Sequence, residues 1–282
     1  METYNYEKRR LAAMKRFMGF VLAICLCFAM IPFGAAGAGN SDTEFEAILE
    51  KLCEDWSIAK EDVIAGYMNL VTGEEHYWQG DKWEYCASMY KVPLNMLVAE
   101  KMVKGELDWE KKYPTIPYKE VLEQTLLYSS NEWAKFEWGA CGSYSDFKKG
   151  IMPYMGIKES DLYERYNIDN KFTARQFITC LKTLYENPER FPAVLDTMKE
   201  AEPERFFRFT EKRYTIAQKY GYVVESNGYY VNACGIAFTE EPIALVMFTR
   251  NAFYPDNTLS AYCTAMCDYT NNHMEKKAPE KQ

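Results

Sequence analysis

The sequence predicts an α/β fold: an antiparallel sheet flanked by N- and C-terminal helices, with an all-helical lobe inserted into it. Two hairpin signals, at Thr72-Gly73 and Asn227-Gly228, predict strands early and late in the chain. Between them, residues 88–212 carry apolar side chains at helical spacing. Because the strands come from both ends of the chain and the helices from its middle, a sheet with an inserted lobe follows.

The early part predicts one helix and one hairpin. Apolar residues recur every three or four positions over residues 44–56, after Ser41 or Asp42 as a cap. Residues 64–70 and 76–85 alternate branched or aromatic residues with others, which predicts two strands around the Thr72-Gly73 turn.

The remaining segments complete this architecture. Strands are predicted at residues 216–224, 229–238 and 243–250, and a last helix at 259–274. The middle helices are predicted at 94–103, 118–127, 144–155, 173–185 and 191–200. A cleft between sheet and helical lobe is the expected place for a site.

The N-terminal segment predicts export. Basic residues precede residues 17–41, which carry no charge, and small residues follow the apolar part. We expect residues 1–38 to be a signal peptide or a membrane anchor, and both alternatives stay open. Residues 39–275 then form the folded domain, with a sheet lobe at 42–87 and 213–275 and a helical lobe at 88–212. Residues 276–282 are expected to be a disordered tail.

Composition excludes several classes of function. The chain has 282 residues, 48% of them hydrophobic, which is enough for one large core. A net charge of −8 argues against nucleic acid as a partner. With only two histidines, His76 and His273, a histidine-rich metal centre is not expected, and no metal or organic cofactor is predicted. We expect a monomer.

A serine and a lysine with catalytic spacing follow the first hairpin. Ser88 and Lys91 are three residues apart at a predicted helix start, so both side chains share one face. A lysine activates a serine when burial lowers its pKa. The pairs Ser57/Lys60 and Ser145/Lys148 have the same spacing, and we interpret them as exposed helix-surface residues.

Two further boxes follow in order along the chain. Ser129-Ser130-Asn131 lies in a predicted turn between helices, and Lys219-Tyr220-Gly221 lies on a late strand. With these three boxes the sequence resembles the class A β-lactamase and penicillin-binding protein superfamily, with its Ser-x-x-Lys, Ser-Asp-Asn and Lys-Thr-Gly motifs. The resemblance covers most of residues 42–274.

The resemblance implies a role for each matching residue. Ser88 would be the acylated nucleophile, and Lys91 its base or proton relay. Ser129 would pass a proton to the leaving group, Asn131 would orient Lys91 and the substrate, and Lys219 would supply positive charge. The backbone amides of Ser88 and Tyr222 would form the oxyanion hole. Tyr128, Tyr220 and Gly221 would contact substrate.

The sequence departs from the family pattern in three places. Ser130 replaces the usual aspartate, which we expect to change how the turn is braced. Tyr220 replaces a hydroxyl-bearing Thr or Ser that normally binds a substrate carboxylate. No Glu-x-x-x-Asn pattern for a deacylating base is found, since Glu164 and Asn167 are one residue too close. We therefore expect a poor β-lactamase.

The resulting hypothesis is an exported serine hydrolase that acts through a Ser88 acyl-enzyme on an amide or ester, such as a cell-wall peptide or a β-lactam. The alternative is a catalytically silent binding or sensing module of the cell envelope on the same fold. Attachment to the outer face of the membrane through the N-terminal segment also stays open. The resemblance places Cys53 beside Cys263 or Cys267, either as a disulfide or as free thiols.

Overall fold

The computed structural model describes residues 41–277 of the chain. The predicted signal or anchor lies outside these residues, and so do residues 278–282 of the predicted tail. Residues 276 and 277 belong to the last helix, so the prediction of a tail from residue 276 is wrong for these two positions.

The described chain alternates strands and helices in the predicted order. The strands are β1 (Val63–Asn69), β2 (Glu75–Trp78), β3 (Glu84–Tyr85), β4 (Lys171–Phe172), β5 (Ile216–Glu225), β6 (Gly228–Ala237) and β7 (Ile243–Thr249). The helices are α1 (Ser41–Asp55), α2 (Lys91–Val103), α3 (Trp109–Lys112), α4 (Tyr118–Leu126), α5 (Asn131–Cys141), α6 (Tyr144–Gly150), α7 (Ala174–Glu186), α8 (Val194–Glu200) and α9 (Pro255–Lys277). Short 3₁₀ turns lie at Lys60–Asp62, Ala87–Tyr90, Glu159–Asp161 and Phe206–Arg208.

The main sheet is antiparallel, with strand order β2-β1-β7-β6-β5. The Asn227-Gly228 signal correctly predicts the β5–β6 hairpin, where Gly228 has a φ of 141° that only glycine adopts readily. The predicted strand 76–85 is right at its start, where residues 76–78 belong to β2 and pair with β1, but the chain leaves the main sheet at Gln79, whose φ is 53°. Its end, β3, pairs with β4 in a separate two-stranded sheet.

Side chains on the two faces of the sheet enter two separate cores. On β7, Leu245 and Met247 join a core with α1 and α9, whereas Val246 and Phe248 join a core with α7 and the helical lobe. This alternation follows from the period of two along a strand. The two terminal helices therefore share one face of the sheet, and the helical lobe packs on the other.

The helical lobe differs from its prediction in detail. Helix α5 was not predicted as a separate helix, and β4 makes the lobe not entirely helical. Helix α6 ends at Gly150 rather than at residue 155, in keeping with Pro153, which has no N–H to donate to a helical carbonyl.

Within residues 41–277, no helix combines the length and the apolar character needed to cross a lipid bilayer. The charge-free stretch at residues 17–41 falls almost entirely outside the described part of the chain.

Candidate active site

Ser88 lies in the 3₁₀ turn that joins β3 to α2. The preceding residue, Ala87, has a φ of 49°, a left-handed conformation that is costly for a residue with a Cβ. Helix α2 begins at Lys91, and Pro93 occupies its first turn, where a missing N–H costs nothing. Pro93 therefore does not delay the helix, and the side chains of Ser88 and Lys91 meet.

Three contacts hold the nucleophile turn in this strained shape. The side-chain amide of Asn170 donates to Ala87 O at 2.7 Å, and that of buried Asn232 donates to Tyr85 O at 2.9 Å. At Gly221 on β5 the backbone comes so near that a Cβ would stand 2.6 Å from the amide nitrogen of Ser88. Glycine is therefore needed at this position, and β5 passes directly beside the nucleophile.

Lys91 is fully buried, and its ammonium contacts all three neighbouring site residues. Its Nζ lies 3.3 Å from Ser88 Oγ, 3.4 Å from Ser129 Oγ and 2.8 Å from Asn131 Oδ1. It also donates to the backbone carbonyl of Ser129 at 2.5 Å. Burial lowers the pKa of Lys91 to about 8, partly opposed by the negative charge of Glu137. Lys91 can therefore become a free base near neutral pH and accept the proton of Ser88.

The turn before α5 supplies the second box. Ser129 has a φ of 56°, which is a second strained position beside the nucleophile. Ser130, where the family usually has aspartate, is the N-cap of α5, and its hydroxyl accepts from the amide of Trp133 at 3.3 Å. The serine thus braces the turn through its hydroxyl, and Asn131 begins the helix facing Lys91.

Lys219 is fully buried on β5, and its Nζ has no hydrogen-bond partner among the described residues. It lies 3.9 Å from the ring centre of Tyr220. Burial, and next the charge of Lys91, lower its pKa well below the usual value. These causes favour the neutral amine, so the predicted role of Lys219 as a positive charge has no support in this geometry.

The hydroxyl of Tyr220 does not lie where the Thr or Ser of the third box would bind a substrate carboxylate. Its ring stacks on Phe206, with ring centres 4.4 Å apart, and its hydroxyl donates to Leu127 O at 3.2 Å. Tyr220, Gly221 and Tyr128 are absent from the described residues that line the cleft. The substrate contacts predicted for Tyr220, Gly221 and Tyr128 stay predictions, and the Tyr220 hydroxyl is engaged by a backbone carbonyl in this structure.

A cleft of about 440 Å³ opens over Ser88. Ser88, Asn131 and Tyr222 belong to its lining, as the predicted roles require. The lining as a whole is largely aromatic: Tyr85, Ala87, Ser88, Tyr90, Asn131, Lys135, Trp138, Tyr144, Ile168, Asn170, Tyr222 and Val223. Lys135 is the only charged residue among them, and no described lining residue is a carboxylate.

The loop at residues 155–173 places no carboxylate among the described residues that line the cleft. Glu164 is exposed and does not line the cleft. Asn170 does line it and holds the nucleophile turn, but the residue four positions earlier is the buried Tyr166. Sequence reasoning missed Asn170, because only its tertiary contact with Ala87 distinguishes it from other loop asparagines.

Lys148 corrects a second prediction. Ser57 and Lys60 are exposed as expected, but Lys148 is fully buried, with its Nζ 3.8 Å from the ring centre of Phe172. It donates to Asp169 O at 3.1 Å, and burial lowers its pKa to about 8. Through its bond to the Asp169 carbonyl, Lys148 holds the loop that carries Asn170, and it is not an exposed partner of Ser145.

The seven described cysteines are all free thiols. Cys53, Cys263 and Cys267 are buried in the same core between the sheet and the terminal helices. The sequence left open whether Cys53 forms a disulfide with Cys263 or Cys267, and in the structure all three are free thiols.

A comparison with known families finds a match in the first half of the described chain. The model of a family described as "Beta-lactamase enzyme family" matches residues 45–131. This segment runs from α1 to the start of α5 and includes Ser88, Lys91, Ser129 and Asn131. A search of curated proteins by sequence gives no significant match.

Solved structures show the same fold over most of the chain. A β-lactamase from Xanthomonas campestris has a TM-score of 0.67 at 15% identity, covering 83% of this chain and all of the other. A class A β-lactamase from Bacteroides cellulosilyticus has a TM-score of 0.68 at 14% identity, covering 83% of this chain and 100% of that one. The chain has the fold of the class A β-lactamases. A β-lactamase from Chitinophaga pinensis has a TM-score of 0.64 at 18% identity, covering 82% of this chain and 99% of the other.

The partial match of the family model and the shared fold make this chain similar to serine hydrolases of the β-lactamase type. Its antiparallel sheet and helical lobe have the arrangement predicted from the sequence. The roles of the individual site residues rest on the distances described above, because identities of 14–18% show the fold alone.

Proposed function

We propose that this chain is an exported serine hydrolase that forms an acyl-enzyme at Ser88 with an amide or ester and releases the acyl group slowly. The observation that carries the proposal is the buried amine of Lys91, 3.3 Å from Ser88 Oγ and held by Asn131. This is the arrangement of a nucleophile and its base.

Acylation follows from these contacts. Ser88 Oγ attacks the substrate carbonyl carbon as its proton passes to Nζ of Lys91. The backbone amides of Ser88 and Tyr222 stabilise the negative oxygen that forms. Lys91 then returns the proton through Ser129 Oγ, 3.4 Å away, to the leaving nitrogen or oxygen, and the bond from carbon to the leaving group breaks.

Slow release is supported by the lining of the cleft. Hydrolysis of an acyl-enzyme needs a base to activate water, and no carboxylate lies among the described lining residues. Lys91, as the nearest amine to Ser88, is the remaining candidate base.

The substrate is an amide or ester without a required carboxylate. Tyr220 supplies no hydroxyl to bind one, and Lys219 is buried away from the cleft lining. Aromatic walls formed by residues such as Tyr90, Trp138 and Tyr222 favour an apolar or ring-containing acyl group. Cell-wall peptides and β-lactams remain the substrate classes to test, and the charge-free N-terminal stretch supports export to where they occur.

The decisive experiment is intact-mass analysis after exposure to a fluorophosphonate and to a fluorescent penicillin. We expect one covalent adduct at Ser88 with at least one probe, and with penicillin an adduct that outlasts removal of free probe. Ser88→Ala should show neither. Ser57→Ala, an exposed serine with the same spacing to a lysine, is the matched control. An unlabelled wild-type protein would favour the silent binding module instead.

The rate of acylation should rise with pH and reach half its maximum near pH 8. The reason is that only the neutral amine of Lys91 accepts a proton, and the pKa of Lys91 is lowered to about 8. Fluorophosphonate labelling rates measured from pH 5.5 to 9.5 check this. A rate that is still far from its plateau at pH 9.5, as for a lysine with the ordinary pKa of 10.5, would contradict this expectation.

A further inference from the structure

Asn170 bonds to the same peptide group that carries a predicted oxyanion donor. Its side-chain amide donates to Ala87 O at 2.7 Å. The peptide group that joins Ala87 to Ser88 contains both this carbonyl and the Ser88 N–H. Because a trans peptide group is planar, its C=O and its N–H point in opposite directions. The bond from Asn170 therefore fixes the direction in which the Ser88 N–H points.

The nitrogen of this peptide group lies beside β5. A Cβ at Gly221 would stand 2.6 Å from the amide nitrogen of Ser88. Tyr222, whose backbone amide is the other predicted oxyanion donor, is the next residue on that strand. Asn170 lies directly before β4, at the oxygen of the peptide group. The peptide group is thus held between Asn170 and β5.

The orientation of this peptide group needs support from its surroundings. Ala87 has a φ of 49°, and a residue in such a strained conformation keeps it only when neighbouring groups fix it. Rotation of the peptide group would exchange the positions of its carbonyl and its N–H. The Ser88 N–H would then face the side-chain N–H groups of Asn170, donor against donor. Asn170 therefore opposes this rotation.

Cys86 determines which way the Asn170 amide faces. Its buried thiol donates to Asn170 Oδ1 at 3.0 Å, which is closer than Ala87 O at 3.4 Å. Burial raises the pKa of the Cys86 thiol to about 12, so the thiol keeps its proton. Its backbone N–H also donates to Asn170 O at 3.0 Å. With Oδ1 bound by the thiol, the donor atom Nδ2 is the one that faces Ala87 O.

The backbone beside Asn170 is anchored by the buried Lys148. Its Nζ donates to Asp169 O at 3.1 Å. It also lies 4.1 Å from the ring centre of Tyr166 and 3.8 Å from that of Phe172. These rings come from both sides of Asn170 along the chain. Asn170 is therefore a fixed point from which the nucleophile turn can be held.

We propose that Asn170 is a positioning residue of the oxyanion hole, which directs the Ser88 N–H towards the substrate oxygen by holding Ala87 O. The inference rests on the proposed function, because it concerns the place where the acyl oxygen becomes negative. When that charge forms, the N–H is already aligned, and the turn does not have to reorganise. Asn170 acts through the peptide group and takes up no proton.

The test compares an ester with its thionoester in Asn170→Leu, which keeps the approximate size of the side chain and removes its donor. The probes are p-nitrophenyl phenylacetate and the same ester with C=S in place of C=O, and the burst of nitrophenol measures the acylation rate. Sulfur accepts hydrogen bonds poorly, so an aligned oxyanion hole accelerates the ester more than the thionoester.

We expect the ratio of the ester rate to the thionoester rate to fall about tenfold in Asn170→Leu, less than the 10²- to 10³-fold cost of losing a donor outright. General damage to the fold would slow both reactions alike. An unchanged ratio would therefore overturn the proposal, even if both rates fall.

Asn187→Leu is the matched control. Asn187 is also half-buried, and its side-chain amide donates to Thr183 O at 2.9 Å, but it follows the end of α7 and does not line the cleft. This variant should keep the wild-type ratio. If Asn170→Leu does not fold, Cys86→Ala replaces it, because it removes the thiol that orients the Asn170 amide. Its ratio should fall by a smaller factor, and a wild-type ratio in folded Cys86→Ala would then contradict the proposal.

A readout without substrate separates this inference from the proposed function. If neither ester acylates the wild type, the proposed function is wrong, and the peptide group is then followed by the amide proton and nitrogen NMR shifts of Ser88. A hydrogen bond to a carbonyl polarises its whole peptide group, so Asn170→Leu should move the Ser88 resonance and Asn187→Leu should not. Identical Ser88 resonances in wild type and Asn170→Leu would remove Asn170 from this role, whatever the activity of the protein.

Discussion

Lys91→Met should slow acylation of Ser88 by roughly 10³-fold, within the range of general-base contributions. Methionine fills much of the buried volume but cannot accept the proton of Ser88 Oγ, which lies 3.3 Å from Nζ. The measurement is the rate of fluorophosphonate labelling at pH 8. Lys101→Met, which removes a lysine from the same helix outside the cleft lining, should keep the wild-type rate.

The free energy of unfolding of Lys91→Met shows whether a slower reaction comes from the loss of the base or from damage to the fold. The pKa of Lys91 is lowered in the folded chain, so between about pH 8 and 10.5 the unfolded chain binds more protons and wild type gains stability as pH rises. Lys91→Met should lack this gain and should be at least as stable as wild type at pH 7. If Lys91→Met is labelled at the wild-type rate, Lys91 is not the base that activates Ser88.

Gly221→Ala should lower the acylation rate by about 10²- to 10³-fold, the usual cost of losing one oxyanion donor. The new Cβ would stand 2.6 Å from the amide nitrogen of Ser88, 2.7 Å from Ala87 Cβ and 2.9 Å from the carbonyl oxygen of Cys86. Because these are rigid atoms, β5 must move away and take the amide of Tyr222 with it. Labelling rate and melting temperature measure the two consequences.

Gly139→Ala is the control for this substitution. Its Cβ would meet only the Tyr113 hydroxyl, at 2.8 Å, which is the far end of a side chain that can turn aside. This variant should label at the wild-type rate. A Gly221→Ala protein with unchanged labelling would show that β5 does not contribute to the oxyanion hole.

The fold could be predicted because its signals are local. The Asn227-Gly228 turn and the period-two strands around it describe β5 and β6 without any tertiary information. The same kind of pattern failed at residues 76–85, because the alternation continues past Gln79 while the backbone turns there. A turn signal, Gly80-Asp81, does stand there, but the aromatic residues on both sides of it favoured one continuous strand.

The meeting of Ser88, Lys91, Ser129 and Asn131 could be predicted because the spacing of these residues is characteristic. The buried charged residues around them could not be predicted. Lys148 and Glu137 look like ordinary helix-surface charges, and only the packing of aromatic rings and neighbouring helices buries them. Lys219 was assigned a charge by its box, although burial favours its neutral form. Burial of a charged residue is a tertiary property that a one-dimensional pattern does not carry.

The bond from the Tyr220 hydroxyl to Leu127 O joins the outer strand of the sheet to the turn that carries Ser129. The strand and the turn can therefore separate only when this hydrogen bond breaks, at a cost of about 1 kcal/mol. The mutual position of the strand beside Ser88 and the turn of Ser129 is thus held by a side chain that itself lies outside the described cleft lining.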